Sequence, residues 1–132
     1  MSGPFIFIAT NRLKPGKLDE EKARVPGLVD FIEANEPRLL AFNEYANEEG
    51  TEVAVVQIHP DADSMTTHMK VGMEHFATAY AEYLEAESSL QIHGNLTEDL
   101  IRAISAAAQT DGDDSNVTIR QPFAGFDRLP AS

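Results

Sequence analysis

The stretch Thr51–Glu85, TEVAVVQIHPDADSMTTHMKVGMEHFATAYAEYLE, decides the fold of this chain. It begins as a strand pattern from Thr51 to His59, turns a polar corner at Pro60–Ser64, and continues as the longest amphipathic helical pattern in the sequence. Met65, Met69, Met73, Phe76, Tyr80, Tyr83 and Leu84 recur at helical steps. They span an arc of about 100° at 3.6 residues per turn, which predicts the core face of that helix. His68 and His75 fall together on one flank of the arc, neither fully inward nor fully outward, and mark an expected pocket edge. Asp61, Asp63 and Ser64 stand before the helix, where side-chain oxygens cap free amides and acids meet the positive end of the dipole.

Upstream, Phe5–Lys14 reads as a central strand, apolar on both alternating faces, and Pro15–Gly16 stops it. Leu18–Asn35 carries Val25, Leu28, Val29 and Ile32 at helical spacing, with a kink or break expected near Val25 because Pro26 removes a backbone donor. Arg38–Ala46 alternates as a second strand, and Asn47–Gly50 turns it into Thr51–His59, so these two strands pair as a hairpin. Downstream, Ser88–Gly94 gives a fourth strand. The order strand, helix, strand, strand, helix, strand is the ferredoxin-like βαββαβ arrangement, an α+β fold with an antiparallel sheet and its helices on one face. Residues 1–95 form this domain. Residues 96–132 extend it with a helix capped by Thr97, an acidic connector at Thr110–Asn116 and a last strand at Val117–Arg120, packed on the same or a neighbouring subunit.

Both faces of the sheet carry apolar residues: Leu39, Ala41, Val53 and Val55 on one, Leu40, Phe42, Ala54, Val56 and Ile58 on the other. An antiparallel sheet that is apolar on both sides needs a second cover, and a homodimer supplies it most simply. At 132 residues and 42% hydrophobic content, the chain has the size of one domain with one modest core. Its net charge of −12, with no basic cluster, argues against nucleic acid as a partner. The absence of cysteine removes disulfides, thiolate nucleophiles and sulfur metal sites. The first apolar run, Phe5–Ala9, is too short for a membrane span and follows no Lys or Arg, so a cytoplasmic, membrane-free protein is expected.

Chemistry must come from a small inventory. Asn11, Asn43, Tyr45, Gln57, His59, Gln91 and His93 interrupt otherwise apolar strands near their ends. Burying such a group without a partner costs about 1 to 3 kcal/mol, so these residues reach solvent, bond one another or line a wet pocket. Among the four histidines, His68 is the first candidate for a pocket base, because a neutral imidazole takes a proton from a phenol or an acidic carbon near pH 7. Asn43, Tyr45, His59, His75 and Tyr80 are the expected substrate contacts. The string His59, Asp61, Asp63 alternates as metal ligands do in an extended segment, but Pro60 argues against one-sided presentation, and no metal or other cofactor is expected. No nucleotide-loop, nucleophile-elbow or HExxH string occurs.

Four blocks in order, NRLKPGK (Asn11–Lys17), EPRLLAFNEY (Glu36–Tyr45), VAVVQIHPDADSMTTH (Val53–His68) and HFATAY (His75–Tyr80), resemble the antibiotic biosynthesis monooxygenase superfamily of dimeric α+β barrel proteins. The resemblance runs from about Phe5 to Glu85. It implies two ferredoxin-like subunits paired sheet to sheet, a pocket between sheet and helices, and oxidation of quinols, phenols or other activated aromatics without metal or flavin. It also implies that Asn11 positions substrate or oxygen and that His68 orients the substrate or takes its proton. His59 stands where most relatives end the third strand with tryptophan, and the chain has no tryptophan. Heme-degrading relatives share the NRL string but carry a tryptophan where this chain has His68 and a heme-ligating histidine roughly ten residues later where this chain has none, which disfavours heme degradation. Two other readings remain open: a noncatalytic dimeric ligand-binding or stress-related protein, and an isomerase or cyclase that uses a histidine base without oxygen.

Overall fold

A computed structural model describes residues 4–108 and 117–128, and within these the side chains of 73–81, 85–88 and 105–108 are left undescribed. The expected connector at Thr110–Asn116 lies outside the described residues. The elements are β1 (Phe5–Leu13), α1 (Leu18–Asn35), β2 (Ala41–Ala46), β3 (Glu52–His59), α2 (Ala62–Glu82), β4 (Leu84–His93), α3 (Glu98–Ala108) and β5 (Val117–Arg120). They build one five-stranded sheet in the order β2-β3-β1-β4-β5. The first four strands pair antiparallel, and β5 adds to β4 in parallel. The fold is therefore α+β and ferredoxin-like, with a helix and strand added at its C-terminal side.

Register sorts the side chains into two faces, because cross-strand partners share a face and neighbours along a strand alternate. Phe5, Phe7, Ala9 and Asn11 stand opposite His59, Gln57, Val55 and Val53. Phe42 and Glu44 of β2, and Ile92 and Leu90 of β4, join the same face. That face meets the helices: Phe5, Phe7, Leu90 and Ile92 pack with Met65 of α2 and Leu100 and Ile104 of α3 in one buried cluster. A smaller cluster of Leu13, Val53 and Leu84 closes the far end of the sheet.

Several boundaries differ from the sequence reading. Helix α1 runs unbroken through Pro26, whose missing donor falls on an exposed stretch of a helix held by its other turns. Strand β2 begins at Ala41 rather than Arg38, because Leu39 N–H turns back to the Glu36 carbonyl at 3.2 Å. Leu84 belongs to β4 instead of the α2 core arc: it pairs with Leu13 across a register shift in β1, and Tyr83 alone makes the turn from helix to strand. Thr97 caps α3 as expected, its Oγ1 accepting from Leu100 N–H at 3.1 Å. Beyond β4, Gly94 (φ 139°) lies so close to Pro4 that a Cβ would sit 2.8 Å from its carbonyl oxygen, so only glycine fits there.

Candidate functional site

One polar cluster of the helix-facing side gathers at the His59 end of the sheet. His59 is fully buried. Its Nδ1 lies 2.7 Å from Ser64 Oγ and its Nε2 2.9 Å from Gln57 Oε1. Strand alternation puts Gln57 and His59 on one face, and the corner at Pro60 returns the chain so that Ser64, in the first turn of α2, reaches back to the ring. With the amide oxygen facing it, Nε2 carries the proton and Nδ1 accepts from the serine hydroxyl, so both bonds are satisfied by a neutral imidazole. Burial, reinforced by neighbouring His68, pushes the His59 pKa down to about 3.

His68 lies next to it, with ring centroids 5.9 Å apart in an edge-to-face arrangement, and Phe42 stands 5.8 Å away on another side. One turn after Ser64 on α2, His68 is also fully buried rather than on the half-exposed flank its periodicity suggested. Its Nδ1 is 2.9 Å from both Oε1 and Oε2 of Glu36, the residue that ends α1 and is only 4% exposed. Burial lowers the His68 pKa, and the Glu36 carboxylate opposes that shift without reversing it. The resulting species is a neutral imidazole donating from Nδ1 to a buried carboxylate. Arg38 holds this corner in place by an ion pair with Asp61, whose other oxygen caps Ser64 N–H at 3.1 Å. The Arg38 guanidinium keeps the Asp61 carboxyl below its usual range.

A cleft of about 200 Å³ opens beside this pair, between the end of α1 and the start of β2. Glu36 and Phe42 form its inner wall, Ile32, Leu39 and Leu40 its apolar sides, and Glu33 its rim.

The remaining expected site residues scatter. Asn11 is buried on the helix-facing side, but it pairs with Val53, six residues along β3 from His59, which is roughly 20 Å at strand rise. It lies on the sheet face that meets the helices, toward the opposite end from His59. Asn43 and Tyr45 fall in the other register, opposite Val56 and Ala54, and both are exposed on the far face of the sheet, as are Gln91 and, partly, His93. The side chains of His75 and Tyr80 lie outside the described residues. The His59, Asp61, Asp63 string does not converge either, since His59 turns to Gln57 and Ser64 while Asp61 turns to Arg38. No group of three potential metal ligands occurs among the described residues.

Glu36 was missed by the sequence reading, Ser64 was read only as a residue that caps the helix, and Gln57 was weighed only as one of several polar strand residues. One signal pointed to Glu36: an acid at the C-terminal end of a helix opposes the negative end of the dipole, and no basic residue occupies the last turn of α1. Such a group needs another partner, and here it is His68.

A second polar cluster lies one pair of residues further along β2. Glu21 of α1 is 1% exposed and accepts from Arg24 Nε and Nη2 at 3.0 and 2.7 Å, while Arg24 stacks over Tyr83 at 5.2 Å. Glu44 faces Glu21, and burial, then the Glu21 carboxylate, raise its pKa to about 9. Two carboxyl groups this close hold one proton between them at neutral pH.

No family model and no curated protein matches the chain. Solved structures do. MupZ from Pseudomonas fluorescens is 14% identical with a TM-score of 0.72, over 98% of this chain and 99% of that one. The matched length extends over the residues of α3 and β5. A structure named antibiotic biosynthesis monooxygenase is 16% identical with a TM-score of 0.58, over 67% of this chain and 94% of that one. Rv0793 from Mycobacterium tuberculosis is 15% identical with a TM-score of 0.60, over 73% and 98%. At such identities the likeness speaks for the backbone, and the chain has the ferredoxin-like α+β fold found in antibiotic biosynthesis monooxygenase structures.

Proposed function

We propose that the chain is a cofactor-independent monooxygenase acting on a quinol or another activated aromatic, with the Glu36–His68 pair as its proton acceptor. The observation that carries the reading is the fully buried His68, kept neutral by its burial and oriented through Nδ1 by Glu36. A pair built this way accepts a proton from a phenol or an acidic methylene at neutral pH, and low polarity around it favours transfer from a neutral donor. The fold likeness to named monooxygenases supports the oxygen chemistry. In that reaction a phenolic hydroxyl gives its proton to the pair, and the phenolate passes electrons to O2 from a ring carbon. A C–O bond forms at that carbon, its C–H bond and the O–O bond break, and the products are the quinone and water. A second subunit against the far face completes the proposed assembly.

Oxygen uptake with a panel of quinols and hydroxylated aromatics, in metal-free buffer, tests this. Glu36→Gln and His68→Ala are expected to lower turnover by about 10²-fold or more, with folding checked by circular dichroism. Uptake indifferent to both substitutions would remove the pair from the mechanism. The closed position of His68 also favours a second reading, a noncatalytic ligand-binding protein, for which tight binding without turnover is the signature.

A further inference from the structure

We propose that the tail after β5 is an arm exchanged between two copies of the chain: Phe126 of one copy enters the cleft between α1 and β2 of the other, and Arg128 meets Glu33 at its rim. The tail gives the first observation. Phe123 and Phe126 are 99% and 78% exposed, and the residues around them through Arg128 are exposed as well. One surface phenylalanine is ordinary, but two on one bare segment present apolar area that a partner would take out of water. The Arg128 guanidinium lies over the Phe126 ring, 4.6 Å from its centroid.

The cleft gives the second observation. Val29, Ile32, Leu39, Leu40 and Phe42 line it with apolar surface, and its volume of about 200 Å³ exceeds the roughly 150 Å³ that admits a benzene ring. Charge fits as well. Glu33 is exposed at the rim, and neither it nor Arg128 makes an ion pair among the described residues. A guanidinium that travels on one face of the entering ring therefore arrives at an available carboxylate.

Register gives the third, and it selects a second copy over the chain's own tail. Arg120, His93, Ile6, Ile58 and Ala41 form one row across the sheet. The root of the tail and the mouth of the cleft are the two ends of that row, roughly 19 Å apart at about 4.8 Å per strand. Phe126 follows Arg120 by six residues and reaches at most roughly 20 Å when fully extended, so its own cleft would demand a straight, taut crossing of the sheet end. A copy laid on the bare face and turned about a two-fold axis along β1 sets its Arg120 over Ala41, at a sheet spacing of about 10 Å. The arm then has slack to round the β2 edge, and symmetry gives both copies the same contact. This assignment rests on the paired sheets proposed above and is independent of the oxygen chemistry.

The test is photo-crosslinking of the full-length chain with a diazirine-bearing phenylalanine in place of Phe126, refolded as a mixture of unlabelled and heavy-isotope copies. Peptides that join position 126 of one isotope to residues 29–42 of the other are expected. Links confined to one isotope, or mapping outside residues 29–42, would overturn the exchange, and so would a chain that sediments as a monomer. A dimer with misplaced links leaves the paired sheets standing and removes the arm alone. Chymotrypsin supplies a second readout, because it cuts after phenylalanine. Cleavage after Phe123 should be slow in the native dimer, and Phe126→Ser should speed it about tenfold, with folding checked by circular dichroism. Glu33→Arg should speed it about threefold, and adding Arg128→Glu to that variant should restore the slow rate. Cleavage indifferent to all of these substitutions would overturn the assignment of the cleft.

Discussion

His59 and His68 are two imidazoles in contact, and both must stay neutral in the folded protein, because charging either places an ion in a site built for a neutral ring. The linkage has a definite sign. The folded-state pKa of His59 is lowered from 6.5 to about 3, so the unfolded chain binds more protons in that interval and stability falls as pH falls. His68 shifts in the same direction. Urea unfolding at pH 7, 6 and 5 should therefore show a loss that approaches about 1.4 kcal/mol per unit from His59 once the pH is well below 6.5. His59→Gln should flatten that dependence, and an unchanged slope in the variant would assign the acid sensitivity elsewhere. The sequence offered both as candidates, His68 as a base and His59 as a substrate contact, and not their surroundings. Helical periodicity gives an angle on a helix, and whether the flank at that angle is wet or dry depends on a carboxylate 32 positions away. Long-range polar pairing leaves no periodic trace, and only the misplaced charge at the end of α1 hinted at it.

At the scale of elements, the contact between α1 and β2 carries the most unusual electrostatics. Folding brings Glu44 against Glu21 and holds a proton on Glu44 up to about pH 9, whereas the unfolded carboxyl ionises near 4.5. The raised value means that the folded state binds more protons across that window, so the group weighs against stability as pH rises through it. Glu44→Gln, a neutral isostere that keeps a donor toward Glu21, should raise the melting temperature by a few degrees at pH 8 and leave it nearly unchanged at pH 4. Equal effects at both pH values would mean that the Glu44 proton is not held as described. The elements themselves were largely legible: a run apolar on both faces in β1, alternation in β2, the strand pattern of β3, the turn at Asn47–Gly50, and helical spacing in α2 gave type and order. The misread boundaries, Arg38 for Ala41 and Leu84 in the helix for Leu84 in β4, lie where an apolar residue satisfies either period. There tertiary pairing chose: Leu39 turned back on Glu36, and Leu84 met Leu13. The same ambiguity hid the face of Asn11 until register with β3 fixed it.

For the whole molecule, helices cover one face of the sheet, and among the described residues the other face is left bare in a single chain. Ile6, Ile8, Val56 and Ile58 stand at the centre of that bare face, each only partly buried by its own neighbours, with exposed Asn43 and Tyr45 toward the β2 edge. A second copy laid against it would give this surface the cover that the sequence alone demanded. Sedimentation equilibrium should return a dimer for the native chain and a monomer for Ile8→Lys, since an unpaired ammonium at the centre of an apolar interface is costly to bury. A dimer that survives the substitution would place the contact elsewhere. No helix among the described residues is long and apolar enough to cross a membrane.

Strand β5 covers only four residues of β4, from Leu90↔Val117 to His93↔Arg120, and the chain after it, through Arg128, is exposed along its length, with Phe123 at 99%. Without that short strand, the outer row of amide and carbonyl groups on β4 would be open to any passing strand of another molecule. β5 is thus a guard against aggregation as much as a part of the sheet. A chain shortened to residue 116 should keep the first four strands and yet form thioflavin-positive aggregates on warming faster than the full chain does, and a truncated chain that stays clear would mean that the β4 edge protects itself.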